Sequence, residues 1–220
     1  PLYTFSTVFR IVITLLISIA WGVSFGVFAA TNKVASLVLT PFIDLLQSIP
    51  ILGYFPMVIG FLFALGPLGV ELSVIVLLFT SMAWAIFFGV LGAVRGIPTN
   101  VVESARGFGL TGWRYVRHVV LPAITPAVIS GANLAWCDGW FFMIAAEYIQ
   151  YQGKPPIGPP SGGLGYLLAK TAYEWKDMTL SVILLAFITF IVVYFNTLTW
   201  HRLMERASTG TFKPVFRMDL

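Results

Sequence analysis

Six polar side chains lie within or beside long apolar runs of this sequence: Gln47, Ser48, Tyr54, Asn133, Asp138 and Glu147. Such groups are costly at membrane depth, where they mark either a solute path or a bond between helices. The chemistry they offer is the binding and passage of a small polar solute, with interhelical hydrogen bonding as the alternative for each. Bond-making chemistry finds no comparable constellation. The phosphate-cradling pattern G-x-x-x-x-G-K-[ST] is absent, so ATP binding and hydrolysis are not expected of this chain. No serine stands in G-x-S-x-G, and the acids show no catalytic pairing. His118 and His201 are far apart and belong to no metal-spaced cluster, which predicts surface or interfacial histidines and no metal site. The single cysteine, Cys137, excludes an intrachain disulfide and a CxxC centre; within its apolar run it reads as a buried thiol.

A second set of residues suits contact. The stretch Glu103-Ser104-Ala105-Arg106-Gly107-Phe108-Gly109 is followed, after nine residues, by Val119-Val120-Leu121-Pro122. Small residues at Ser104, Ala105 and Gly107 let a short helix approach a partner closely. Glu103 can favour a helix N-terminal end or pair with an arginine. Gly109 fits a left-handed helix terminus that turns the chain into a second short segment. An exposed, rigid element of this kind could dock in a groove on a soluble subunit and pass on its motion. A solvated amphipathic loop is the plainer alternative.

The elements that must position these residues are membrane spans. Of the 220 residues 58% are hydrophobic and 10% charged, with a mean hydropathy of +0.90. A soluble domain carries about 25% charged residues, so lipid must replace much of the water-facing surface. Roughly 20 residues at about 1.5 Å each cross a hydrocarbon core of about 30 Å. Residues 8–30 meet that length, and Gly22 and Gly26 inside them are spaced for close helix contact, although chance explains the pair nearly as well. Residues 37–65 are too long and too interrupted for one regular helix, since Pro41, Pro50, Gly53 and Pro56 each disturb the backbone. Irregular backbone at that depth needs protein or a water-filled cavity around it. Residues 47–56 are thus a candidate path lining, with a membrane-surface turn as the alternative. A turn at residues 66–69 precedes the plainest span, 70–94. Further spans are expected over 119–149 and 178–200. A short interfacial helix is expected over 163–176, where Tyr166, Tyr173 and Trp175 suit the headgroup region.

Five spans place Lys33, residues 95–117 and the tail, 201–220, on one side. Nine of the 13 Lys and Arg lie there: Lys33, Arg95, Arg106, Arg114, Arg117, Arg202, Arg206, Lys213 and Arg217. That bias makes this side cytoplasmic. It also accounts for the net charge of +4 and the isoelectric point near 9.4 without nucleic acid as a partner. The fold expected is an all-α, polytopic transmembrane helical bundle over 1–220, a single domain with a cytoplasmic loop at about 95–117. The chain opens on proline with no signal peptide ahead of its first apolar block, so it is expected to be N-terminally incomplete.

The spacing of residues 103–122 resembles the EAA loop of the inner-membrane permease subunits of ABC importers. That pattern reads E-A-A, three residues, G, nine residues, then I-x-L-P; Ser104 stands for the first alanine and Val119 for the isoleucine. The resemblance covers nearly the whole chain and narrows to the nitrate/sulfonate/taurine/bicarbonate group. It is carried by Arg10, by Pro50 to Pro56, by Leu121-Pro122-Ala123-Ile124-Thr125-Pro126, by Ala146-Glu147, and by Gly163-Leu164-Gly165-Tyr166-Leu167. It implies a type I importer permease, usually of six spans with an extra one at the N-terminus. It also implies alternating access driven by a separate ATPase, coupled through Glu103, Ser104, Ala105, Gly107, Gly109, Leu121 and Pro122. ATP and magnesium would act in that ATPase, with no cofactor in this chain. The implied partners are the ATPase subunits, a second permease subunit, a periplasmic or surface solute-binding protein, the solute and membrane lipid. The proline-rich outer loop, 151–161, and Asp138 depart from the group's pattern and bear on cargo, since an anion sits awkwardly near Asp138 and Glu147 unless Arg10 or a partner offsets them. Two other readings follow from the residues: a permease of the same fold for an amino acid, a cation or a thiamine precursor, and a non-transporting membrane scaffold or sensor. A membrane-embedded enzyme would need a polar cluster at one depth, and the candidates are scattered.

Overall fold

A computed structural model describes residues 2–63, 65–152 and 162–210, and among these every regular element is helical. Helices α1 (Leu2–Thr31), α2 (Lys33–Ser48), α3 (Ile51–Phe63) and α4 (Pro67–Arg95) are followed by the short α5 (Thr99–Gly107) and α6 (Gly112–Tyr115). A π-helical turn, Val116–Val120, leads into α7 (Leu121–Gln152). After α8 (Leu164–Tyr173) comes α9 (Met178–Phe195), a second π-helical turn, Asn196–His201, and α10 (Arg202–Gly210). Most of the outer loop at 151–161 and the last residues of the tail, 211–220, lie outside the described residues, with Lys154, Lys213 and Arg217 among them.

Among the described residues four helices are long and apolar enough to cross a membrane: Leu2–Thr31, Glu71–Arg95, Gly112–Glu147 and Met178–Arg206. A fifth crossing is supplied if Lys33–Ser48 and Gly53–Leu62, bent by 98°, form one broken span. The break falls at Pro50. Its ring removes an N–H and pushes Ile49 to extended backbone, φ −75° and ψ 124°. Pro41 and Pro56 were expected to interrupt this block too, yet each lies inside a continuing helix. In lipid, helix continuity is the only available way to satisfy most backbone groups, which outweighs the one bond a proline removes.

The core is built around α4. Over its most apolar window 56% of α4 is buried, against 17% of α9, so α4 is the central post and α9 faces outward. Val74, Leu77, Leu78, Met82, Ile86 and Val90 form its buried stripe. Helix α1 packs closely on this stripe at Gly22 and Gly26, where an added Cβ would stand 2.7 Å from Ile86 Cγ2 and 2.9 Å from Val90 Cγ1. The glycine pair is therefore a packing device, as small residues are between membrane helices. Trp21 closes the same contact, meeting Phe79 and Trp84 edge to face and Phe87 at a tilt, with ring centroids 5.5–5.9 Å apart. On α9, Val182, Ile183, Leu185, Phe190 and Val193 are exposed, as lipid-facing side chains are.

With the bent pair counted as one crossing, alternation puts the ends of α1 and α4 and all of α5, α6 and α10 at one end, the basic one. The starts of α1 and α4, the end of α7 and all of α8 share the opposite end. The expected interfacial helix is present as α8. Tyr173 and Trp175 are exposed, while Tyr166 instead stacks on Tyr3 at 6.4 Å.

Candidate functional site

The loop between α4 and α7, at the basic end, is a hairpin of short helices. α5 begins after Pro98, which cannot donate a backbone hydrogen bond, and it ends in a Schellman turn. Gly109 N–H donates to Arg106 O at 2.9 Å and Leu110 N–H donates to Ala105 O at 2.9 Å, with Gly109 at φ +72°. Only glycine takes that backbone without strain, so the expected left-handed terminus is realised at Gly109. Ala105 is the buried anchor of α5 on the bundle. Ser104 is exposed and donates to Asn100 O at 2.7 Å. Glu103 stands in the middle of α5, not in its first turn, and makes no ion pair among the described residues.

Gly107 differs from Gly109. Its backbone is ordinary helix, and an added Cβ would meet nothing within 4 Å. Nothing within the described chain requires a glycine there. Phe108, the next residue, is 85% exposed, and Trp113, in α6, is 70% exposed. Two exposed aromatic side chains on the same loop as this bare glycine form a surface suited to an outside partner.

Leu121 and Pro122 lie where the loop re-enters the bundle. Leu121 packs against the core, and its N–H donates to Val116 O across the wide π turn. Pro122 has no N–H for the carbonyl of His118, and with Ala93, Pro98 and Val101 it lines a cavity of about 360 Å3 between α4, α5 and α7. The loop is thus tied to α7 through a locally widened helix rather than a regular one.

The path candidates do not gather at one place. Gln47 and Ser48 are exposed at the end of α2 and both bond to Asp44, at 2.8 Å each. Tyr54 packs against the core from α3. Asn133 lines a cavity of about 560 Å3 with Asn196, Thr197, Trp200 and His201, and its buried Oδ1 accepts no hydrogen bond. Asp138 is exposed on α7, in one helical stripe with Ser130, Leu134, Cys137 and Phe141. Cys137, expected to be a buried thiol, is exposed for the same reason: its stretch of α7 is apolar but turns this stripe away from α4. Of the histidines, exposed His118 bonds Arg114 O at 2.9 Å, and exposed His201 pairs with Glu205 at 3.3 Å. The described residues contain no group of three or more metal-ligating side chains.

Glu147 occupies a different setting. It is fully buried, and its Oε1 accepts from Thr7 Oγ1 at 2.9 Å and Arg10 Nη1 at 3.1 Å. Its Oε2 accepts from Gly165 N–H at 2.7 Å. Arg10 turns its other edge to Glu71, with Nε to Oε2 at 2.7 Å and Nη2 to Oε1 at 2.5 Å. Thr7 Oγ1 also accepts from Leu164 N–H at 2.9 Å. One arginine therefore joins α1, α4 and α7, and the start of α8 caps the cluster. Glu147 is turned inward to these donors and shows no surface to a path. Glu71 was not foreseen. Its signal was an isolated acid at the start of an apolar block, at the same end of the bundle as Arg10 and Glu147.

The model of the family of binding-protein-dependent transport system inner membrane components matches residues 22–207. The chain belongs to this family. A putative ABC transporter permease protein of Methanocaldococcus jannaschii is 26% identical over 165 residues, 75% of this chain and 57% of that protein. The taurine transport system permease protein of Escherichia coli is 24% identical over 64% of this chain and 49% of its own length. The nitrate import permease protein of Synechococcus elongatus is 25% identical over 80% of this chain and 58% of its own. The chain thus spans about half the length of the curated relatives it matches. An inward-facing structure of the MetNI methionine ABC transporter superposes with a TM-score of 0.65 at 18% identity, covering 93% of this chain and 96% of that one. That likeness places this family member in the all-α, multi-pass inner-membrane permease fold.

Proposed function

We propose that this chain is the permease subunit of an ATP-driven importer, moving a small solute by alternating access under the control of a separate ATPase. The observation that carries the reading is the α5 hairpin. It is anchored at Ala105, turned by Gly109, bare at Gly107 and flanked by two exposed aromatic side chains. Residues 103–109 would dock in a groove of the ATPase, which supplies ATP and magnesium. Closure of two ATPase subunits would move α5, and the tie through Leu121 and Pro122 would carry that motion into α7. Such a cycle requires the loop to make different contacts in its two states, because equal contacts shift no equilibrium. Hydrolysis belongs to the ATPase and the permease contributes the route, completed by a second permease subunit and fed by a solute-binding protein at the outer end. Residues 95–117 act as the coupling loop of a single permease domain.

The cargo reading follows the relatives: taurine, nitrate, aliphatic sulfonates or bicarbonate. Arg10 pairs with both Glu71 and Glu147, and Glu147 is fully buried against it, so Glu147 need not repel an anion. Asp138 favours a second reading. A carboxylate on an exposed face of a span must meet water or a partner, and on a path it would suit a solute with a cationic group, such as an amino acid, a cation or a thiamine precursor. Gln47, Ser48, Tyr54 and Asn133 are the remaining lining candidates. The test is co-purification with the cognate ATPase, followed by solute retention on the partner binding protein. Import requires both to succeed. A chain that holds the ATPase but never changes its hydrolysis with solute is a scaffold or sensor instead.

A further inference from the structure

At the cytoplasmic end of α1, α2 and α4, Lys33, Ser36 and Arg95 line a cavity of about 330 Å3, walled otherwise by Ala29, Ala30 and Leu37. The Arg95 guanidinium donates to Ser36 Oγ, which holds that cation over the first turns of α2. Lys33 opens the same helix. Among the described residues neither cation forms an ion pair. The acid next along α2, Asp44, lies about three turns further in and accepts from Gln47. The helix terminus itself is occupied, because Asn32 Oδ1 accepts from Val34 and Ala35 N–H. The positive charge available to a ligand is therefore that of two side chains from different helices, held in one cleft with no counter-charge.

The other half of the observation is apolar. From the rim of this cleft α2 turns outward Val34, Leu37, Val38, Phe42 and Leu45, each 55–77% exposed. These side chains run from the cleft into the span. Two cations at its cytoplasmic mouth stand at the headgroup level of the leaflet where anionic lipids concentrate. A free phosphate would match only the cations, and a neutral lipid only the apolar face. An anionic phospholipid matches both.

We propose that Lys33, Ser36 and Arg95 bind the phosphate of an anionic phospholipid of the inner leaflet, with its acyl chains lying along the Leu37 face of α2. The lipid would brace the start of α2 against the end of α4, immediately before α5. This inference rests on the orientation of the bundle and stands apart from whether the chain transports.

The test is native mass spectrometry of the protein, in its complete complex, released from vesicles of mixed phosphatidylglycerol and phosphatidylcholine. The unmodified protein is expected to retain phosphatidylglycerol preferentially, and inorganic phosphate in excess should not displace it. A cation beside an anionic headgroup is worth about fivefold in affinity, so Lys33→Gln should weaken retention about fivefold and the pair with Arg95→Gln roughly 25-fold. Lys170→Gln, at the opposite end, should leave it unchanged. The single Lys33 variant, at an exposed position, keeps the test open where the double variant fails to fold. Equal retention of both lipids, unchanged retention in the Lys33 variant, or displacement by inorganic phosphate would each overturn the proposal. So would a photo-crosslinker at Leu37 that captures a protein helix rather than lipid.

Discussion

Arg10 on α1 and Glu147 on α7 pair at 3.1 Å at the end of the bundle that holds α8, with side chains 5% and 0% exposed. A buried carboxylate is tolerated only when its lone pairs are taken, and here Thr7, Arg10 and the Gly165 amide take them. The cluster joins three spans and the start of α8 at the end opposite α5. If α5 couples to an ATPase as proposed, motion entering there would meet a bundle whose far end is pinned.

Removing the arginine leaves two acids without their cation. Arg10→Met is expected to destabilise the fold by about 3–5 kcal/mol, the usual cost of leaving a buried charge unpaired. Glu147→Gln should cost less, about 1–3 kcal/mol, because Arg10 keeps Glu71, while one amide oxygen replaces only one of the two oxygens that accept from Thr7 and from Gly165. Thermal unfolding of the purified protein in detergent gives the order, and equal losses would refute the pin.

The contact of α1 with α4 makes a second prediction. Gly22→Leu or Gly26→Leu must displace Ile86 or Val90, and overpacking of this kind costs about 1–3 kcal/mol. The lowered unfolding midpoint should be matched by no change for Gly60→Leu, where an added Cβ meets nothing.

The exposed stripe of α7 is testable through its native thiol. If Cys137 shares a water-filled path with Asp138, a charged, water-soluble thiosulfonate should modify it in the assembled complex, and bound solute should slow that reaction. Modification only by a membrane-soluble maleimide would place the stripe against lipid instead. Asp138→Asn should then leave transport intact, whereas on a path it should change the solute preference.

Much of the bundle was legible because membrane constraints are coarse. The apolar blocks, the basic side and the glycine pair at Gly22 and Gly26 follow from bilayer thickness, charge bias and helix period. The left-handed turn at Gly109 was legible for the same reason that it exists: few residues take that backbone. What escaped depended on neighbours. Glu71 is meaningful only once Arg10 lies beside it, and Glu147 stayed open between path lining and an interhelical bond because its donors come from α1 and α8. Cys137 read as buried because an apolar run does not reveal which of its faces meets α4. Pro41 and Pro56 read as breaks, but only at Pro50 does the chain turn.

Gly107 and Gly109 separate folding from coupling. Gly109→Val should strain the φ +72° turn and cost about 1–2 kcal/mol, whereas Gly107→Val should leave the unfolding midpoint within about 0.5 kcal/mol of the original. The most direct measurement is ATP-driven solute uptake, with ATP hydrolysis followed in parallel, in vesicles carrying the complete complex with Gly107→Val or Glu103→Ala. The expected result is a stable permease whose assembly with the ATPase is weakened or whose hydrolysis no longer drives uptake. Normal assembly together with normal uptake in both variants would contradict a coupling role for residues 103–109.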